Sequence, residues 1–351
     1  MGSVRSGRPG RLGVTMWTKT IPIALILALG LLAGCGGSDD GERDTNAAAA
    51  TTGGATEASA EPGFEATPVD VEALPLGDDM YSTDGPRQGY VYSCITNFNG
   101  GGAFQQGPWI DAAAGTWNLE EKIHVQGEVE WEAEFSQRVS GADREVEGNG
   151  LPPQPSGIFP VEADDPAYEF DRNPNSIEAY RLEAVLPAEP QRAEEPSCVG
   201  GTVGLMRNGV PLYSAFDAGG RDAVATEIQD SCNAHPEATG QYHYHGFSGC
   251  LHGTDDESSS VLVGWALDGF GIYVERDAEG TMVSSADLDV CHGRTSEVEW
   301  DGETREMYHY VLTLDFPYTV ACYRGEAIAE ADGLALGDPG AGIPEGAPPN
   351  R

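Results

Sequence analysis

From residue 69 to residue 330 the chain alternates apolar and polar positions in short runs rich in β-branched and aromatic residues, separated by Gly, Pro, Asn and Asp. Period-two alternation marks half-buried strands, and those turn residues mark their ends. The runs predict strands at 91–95, 122–125, 128–135, 179–185, 202–207, 261–266, 271–275 and 309–314. Helical spacing is confined to 223–229 and 327–331. The expected fold is mainly β with long loops. The acidic, Pro- and Gly-rich stretch 141–175 reads as an excursion over the sheet, and Trp109, Trp117, Trp131, Trp265 and Trp300 as core residues.

A second pattern lies on top of the first. Gly204-Leu205-Met206-Arg207-Asn208-Gly209-Val210-Pro211-Leu212-Tyr213 repeats as Gly264-Trp265-Ala266-Leu267-Asp268-Gly269-Phe270-Gly271-Ile272-Tyr273, with Arg207 breaking the apolar match. Downstream, Tyr242-His243-Tyr244-His245 lies between Cys232 and Cys250, and Tyr308-His309-Tyr310-Val311 between Cys291 and Cys322. An internal repeat sets the architecture before any detail does. We read 199–325 as an internally duplicated domain of two related halves, 199–258 and 259–325. Each opens on an Asn-Gly or Asp-Gly hairpin, the strongest short hairpin signal. An N-terminal β-rich part, 69–198, precedes it.

The ends read differently. Residues 21–32 are an apolar run too short to cross a bilayer comfortably, and they finish in Leu32-Ala33-Gly34-Cys35. That is a processed leader with a bacterial lipobox, so residues 1–34 are read as a lipoprotein signal peptide and Cys35 as the lipidated first residue of the mature chain. Either Met1 or Met16 would serve as its start. Residues 35–68 have almost no large apolar side chains and read as a disordered tether, and 326–351 as a mostly disordered tail. The expected location is extracytoplasmic, lipid-anchored to the cell membrane or outer membrane.

Export fits the cysteines. Apart from Cys35 there are six, and an oxidising compartment favours disulfides. The repeat favours Cys232–Cys250 and Cys291–Cys322, leaving Cys94–Cys198. A Cys/His zinc site is the alternative, but no Cys-x-x-Cys spacing occurs. Charge adds one exclusion. The chain carries −38, and residues 1–34 hold four of its 19 bases and no acid, leaving 57 acids against 15 bases with Lys122 as the one lysine. Such a surface does not bind nucleic acid by electrostatics.

Histidine carries the candidate chemistry. On a strand, residues i and i+2 share a face, so His243 and His245 project together and Tyr242 and Tyr244 turn to the core. With His235 they form a three-imidazole set of the kind that holds Zn or Cu, and His309, the repeat mate of His243, is a fourth candidate. Neutral imidazole binds and imidazolium does not, so affinity is expected to fall as pH drops through about 6.5. Asp217 and Asp268 are candidate orienting carboxylates. Asp268, His292 and Arg294 are candidate catalytic groups, the last two as an oxyanion or phosphate subsite. His252 reads as a rim residue and His124 as a packing residue.

From Asn208 to Gly325 the chain resembles the YHYH domain family. The resemblance rests on Asn208-Gly209-Val210-Pro211, Cys232 with His235-Pro236, Gly240-Gln241-Tyr242-His243-Tyr244-His245, the Gly264 to Tyr273 motif, Leu288-Asp289-x-Cys291-x-Gly293, Phe316-Pro317-Tyr318 and Cys322-Tyr323-Arg324-Gly325. It implies a family and not a reaction. In the second half, Val311 and Cys291-His292-Gly293-Arg294 depart from the family pattern, which implies a one-sided site. Three readings follow. The first is a cell-envelope lipoprotein with a His-rich Zn or Cu site, with or without metal-dependent hydrolysis. The second is a metal-independent His/Arg phosphoester hydrolase. The third is a non-catalytic ligand-binding or adhesion module with structural histidines. Sequence alone does not decide whether the protein is an enzyme.

Overall fold

The computed structural model describes residues 63–98, 100–251, 253–254, 260–329 and 331–334. Its strands, in chain order, begin with five short ones: β1 (Leu74–Pro75), β2 (Tyr81–Ser82), β3 (Val91–Tyr92), β4 (Ile110–Asp111) and β5 (Thr116–Trp117). Then come β6 (Phe135–Ser140), β7 (Asp143–Gly148) and β8 (Leu182–Pro187), which form a meander in the order β6-β7-β8. The first half of the repeat supplies β9 (Thr202–Met206), β10 (Pro211–Tyr213), the one-turn helix α1 (Ala223–Thr226), β11 (Ala234–Pro236) and β12 (Tyr242–Tyr244). The second supplies β13 (Ser260–Ala266), β14 (Gly271–Glu275), β15 (Gly293–Trp300) and β16 (Glu303–Val311).

The duplication read from the sequence is the topology of the main sheet. Its order is β11-β12-β10-β9-β13-β14-β16-β15. Outward from the centre, each half places its first strand, then its second, fourth and third. In both halves the second and fourth strands run parallel and the third and fourth antiparallel. The central pairing joins Leu205 to Trp265, residues sixty positions apart and equivalent in the repeat. A pair that maps onto itself lies on a pseudo-twofold axis. Backbones approach closely there: a Cβ on Gly204 would stand 2.8 Å from the Trp265 carbonyl, and one on Gly264 2.8 Å from the Leu205 carbonyl. The repeated glycines are therefore a packing requirement.

The hairpins form as expected but not with the shortest turn. Positive φ falls on Gly209 (84°) and Gly269 (87°) and not on Asn208 or Asp268. Each loop is therefore longer than a two-residue type I′ turn, which would need two residues at positive φ. The halves agree further than the sequence motif suggested. Asp230 accepts from Cys232 N (2.9 Å), Ala234 N (3.4 Å) and Tyr242 Oη (2.7 Å), and Asp289 from Cys291 N (2.9 Å), Gly293 N (3.2 Å) and Tyr308 Oη (3.1 Å). Asn233 and His292, each following its cysteine, both take left-handed φ, 57° and 68°. The cysteines pair as Cys94–Cys198, Cys232–Cys250 and Cys291–Cys322, with Cα–Cα separations of 5.1, 5.4 and 4.5 Å.

The β6-β7-β8 meander packs on the second half through Arg144. This side chain is fully buried, with its guanidinium 4.6 Å from the Trp265 ring, 4.9 Å from the Trp300 ring and 2.7 Å from Asp301. Stacking and one carboxylate together replace its lost water. Trp109, Trp117, Trp265 and Trp300 are core residues, and Trp131 is half-buried.

Some expectations fail. Residues 122–125 and 128–134 make no strand, with single bridges at Val125 and Val129, and Phe135, the last residue of the predicted run, opens β6 instead. The stretch 141–175 is not merely an excursion, because Asp143–Gly148 is the middle strand of the meander. Its period-two pattern lies under its acidic composition. Residues 327–329 form no helix, since Ile328 N donates to Leu267 O across the chain. Helix α1 stops after one turn because Glu227 is extended (φ −77°, ψ 146°). Folded contacts also reach past the expected boundaries. Ala66 N donates to Asp277 (3.0 Å), and Asp332 pairs with Glu183. The leader, Cys35, most of the tether and the tail beyond 334 lie outside the described residues. Among the described residues no helix is long and apolar enough to cross a membrane.

Candidate metal centre

Strand β12 brings His243 opposite His235 of β11 in antiparallel register, and His245 follows two positions on. Tyr242 and Tyr244 turn the other way and are fully buried, as strand periodicity predicts. The histidines are buried too, each about 3% exposed. Their potential ligand atoms lie within 4.8 Å of one another, so the three form a buried group that could hold a metal ion.

The hydrogen bonds fix which nitrogen faces the centre. His243 Nδ1 lies 3.0 Å from the Gln241 carbonyl, and His245 Nδ1 2.6 Å from the Ser214 carbonyl. A carbonyl only accepts, so both Nδ1 atoms carry the proton and donate. Both Nε2 atoms are then lone pairs, and they face each other at 3.0 Å. Two lone pairs at that distance repel unless a cation stands between them. The Tyr213 ring stacks on His243 at 3.9 Å and holds its plane. His235 makes no hydrogen bond through either ring nitrogen. A buried imidazole left without a partner is costly, and a ligand would satisfy it.

Sequence reasoning missed Glu227. The extended turn that ends α1 points its Oε2 to 3.4 Å from His235 Nε2 and 3.5 Å from His245 Nε2. Those contacts have ion-pair distances, yet burial drives each partner toward its neutral form. Burial raises the Glu227 carboxyl well above its ordinary range, helped by the Asp217 and Asp171 charges. Burial lowers His235 and His245 well below theirs, each helped by the neighbouring imidazoles, and lowers His243 to about 4. Glu227 thus stands beside the three imidazoles without a full salt bridge to them. The only sequence signal for Glu227 was its place at the end of a short predicted helix. Behind it, Lys122 is buried and lowered by that burial to about 7, against the raising pull of Asp222, Glu227 and Asp171. Its ammonium donates to Val224 O and Gln229 Oε1, fixing the loop that carries Glu227.

Other candidates lie elsewhere. His309 does not join the three. β16 is five strand spacings from β12, about 24 Å at roughly 4.8 Å each, and His309 Nε2 lies 3.1 Å from Glu275. Asp217 orients no histidine. It binds Arg221 and the loop amides, and backbone carbonyls orient the imidazoles instead. Asp268 holds the second half together, accepting from Tyr310 Oη (2.6 Å) and Gly325 N (2.9 Å). His292 is buried with its Nε2 3.0 Å from Thr313 Oγ1, and Arg294 lies 3.5 Å from Glu275, so the two do not make the open oxyanion subsite expected. His124 is half-buried, and His252 lies outside the described residues.

The burial corrects the expected pH dependence. Protonation of the imidazoles competes with a metal, and His243 resists protonation down to about 4. The imidazoles therefore stop competing well above pH 4, but the Glu227 carboxyl, which burial raises well above its ordinary range, must lose its proton to bind. Metal affinity is expected to fall as pH drops through that raised carboxyl range and more steeply near 4. Competition titrations at pH 7, 6, 5 and 4 check this, and an affinity that stays constant from pH 7 to 5 contradicts it.

No curated protein and no solved structure matches the chain. One family model does, that of the YHYH protein family, over residues 183–283. The matched span runs from β8 past β14 and contains His235, His243, His245 and Glu227. Over those residues the chain carries a domain of the YHYH family.

Proposed function

We propose that this is a cell-envelope lipoprotein whose YHYH domain holds one zinc ion on His235, His243, His245 and Glu227. The facing pair of Nε2 lone pairs, 3.0 Å apart with both Nδ1 protons already donated, carries the reading. Zinc–nitrogen bonds of ~2.05 Å in a tetrahedron put neighbouring donors about 3.3 Å apart. Three of the six separations, 3.0, 3.4 and 3.5 Å, suit that edge, and the three imidazole donors all lie within 4.8 Å of one another. Copper(II) prefers a tetragonal plane, so we favour zinc. Four protein donors complete a tetrahedron, and all four are buried. A catalytic zinc keeps a position open for water or substrate, so we favour a held ion over a hydrolytic one. Dialysis of the metal-free mature chain against equimolar zinc and copper, followed by elemental analysis, tests the reading. One zinc per chain is expected, and no retained metal overturns it.

The envelope part rests on the lipobox at Cys35. Cys35→Ser removes the thiol that would take the lipid, so that variant is expected in the soluble fraction and the parent chain in the detergent phase. Equal partitioning of the two contradicts the anchor.

A further inference from the structure

The pseudo-twofold axis gives each histidine of the metal centre a mate in the second half. β11 pairs His235 with His243, and β15 pairs Arg294 with His309 in the same register. Arg294 therefore stands where His235 stands, and Val311 where His245 stands. His309 keeps the environment of His243. Its Nδ1 lies 3.1 Å from the Met307 carbonyl, as His243 Nδ1 lies 3.0 Å from Gln241. Tyr273 also meets its ring, edge-on with centroids 4.9 Å apart, where Tyr213 stacks on His243 at 3.9 Å.

The second half has a buried carboxylate too, supplied by the end of β14 and not by the position equivalent to Glu227. Glu275 is 6% exposed, and its Oε1 lies 3.1 Å from His309 Nε2. Because His309 Nδ1 donates to Met307, a hydrogen bond to that carboxylate requires a proton on Nε2 as well. Glu275 Oε2 has the Arg294 Nε at 3.5 Å. Val311 packs with Val283, Leu288 and Phe64, and the Phe64 ring also meets the Arg294 guanidinium at 4.0 Å.

We infer that the second half is the same metal centre with a cation of the chain's own in place of the ion: Arg294's guanidinium, with the proton on His309 Nε2, neutralises Glu275 as zinc would neutralise Glu227. The first half leaves lone pairs facing lone pairs, whereas the second leaves a carboxylate facing donors. On this view two substitutions separate a centre that needs a metal from one that does not. Removing them should expose a second site made of His309, Glu275 and two new imidazoles. The wild-type ion count rests on the zinc reading above. The increment produced in the second half does not.

The test is the zinc content of the full mature chain and of Arg294→His/Val311→His after dialysis against excess zinc and then buffer. The expected result is one ion in the parent and two in the variant. A parent without zinc overturns the proposed function, and one extra ion in the variant would still support this inference. A folded variant with no more zinc than its parent overturns the inference. Arg294→Ala covers the case in which the double variant does not fold. It is expected to lose thermal stability and to recover at least half of that loss in millimolar methylguanidinium, which leaves the parent unchanged. Absence of that recovery also overturns it.

Discussion

Zinc at 100-fold over its dissociation constant is expected to raise the melting temperature of the mature chain by about 5–10 °C, and His243→Ala/His245→Ala to abolish the whole shift. A ligand that binds only the folded state at that excess adds about 2.7 kcal/mol, and each kcal/mol moves the midpoint of a domain this size by roughly 2–4 °C. The metal-free fold should tolerate the double substitution. The site's lone pairs repel one another, the Tyr242 and Tyr244 core on the opposite face is untouched, and Cys232–Cys250 still closes the loop that carries all three histidines. Scanning calorimetry of both chains with and without zinc reads the effect. A shift of equal size in the double variant would place the ion on the acidic surface, where 57 carboxylates offer weak sites, and would remove the support for the proposed centre.

The second large effect is structural. Asp230→Ala is expected to destabilise the domain by about 3–5 kcal/mol, a drop of roughly 10 °C. Asp230 collects the Tyr242 hydroxyl at 2.7 Å and the amides of Cys232, Ala234 and Gly157 at 2.9, 3.4 and 3.0 Å. Alanine would leave those buried donors without an acceptor. The carboxylate is not in an easy position itself, since burial raises its pKa and only these donors lower it again. Chemical denaturation of the variant gives the number, and a loss under 1 kcal/mol would mean that water reaches the loop and replaces the side chain. Because the same loop carries Cys232 and leads into His235, a loss of zinc affinity should accompany the loss of stability.

The repeat was the legible part of this chain. Gly204 and Gly264, the two hairpins, the tyrosine faces and the disulfide pairs all depend on local pattern, and local pattern is written at fixed spacing. The three clustered histidines were legible for the same reason, through strand periodicity and a nearby loop. Glu227 was not, because its approach depends on a helix stopping after one turn, and a single carboxylate among 57 carries no mark. His309 was misplaced for a related reason. The sequence shows that two halves are equivalent but not whether their equivalent faces meet, and here a dyad through the sheet centre sends them to opposite ends. Strand β7 was hidden by its charges, because Arg144 takes an inward position beside Val146 and the run Asp143-Arg144-Glu145 looks like a solvated loop by composition.

The pairing of Leu205 with Trp265 has a consequence for how such a chain could have arisen. Each half contributes its first strand to the middle of the sheet, and the two strands meet antiparallel at equivalent residues. An isolated half would carry that strand as an open edge, with unpaired amides and carbonyls. The edge is self-complementary, so a second identical copy would satisfy it across a true twofold axis, the commonest symmetry of assemblies. The sheet centre thus has the form of a homodimer interface made within one chain. With both halves in one chain, either is free to change its histidines without the other following.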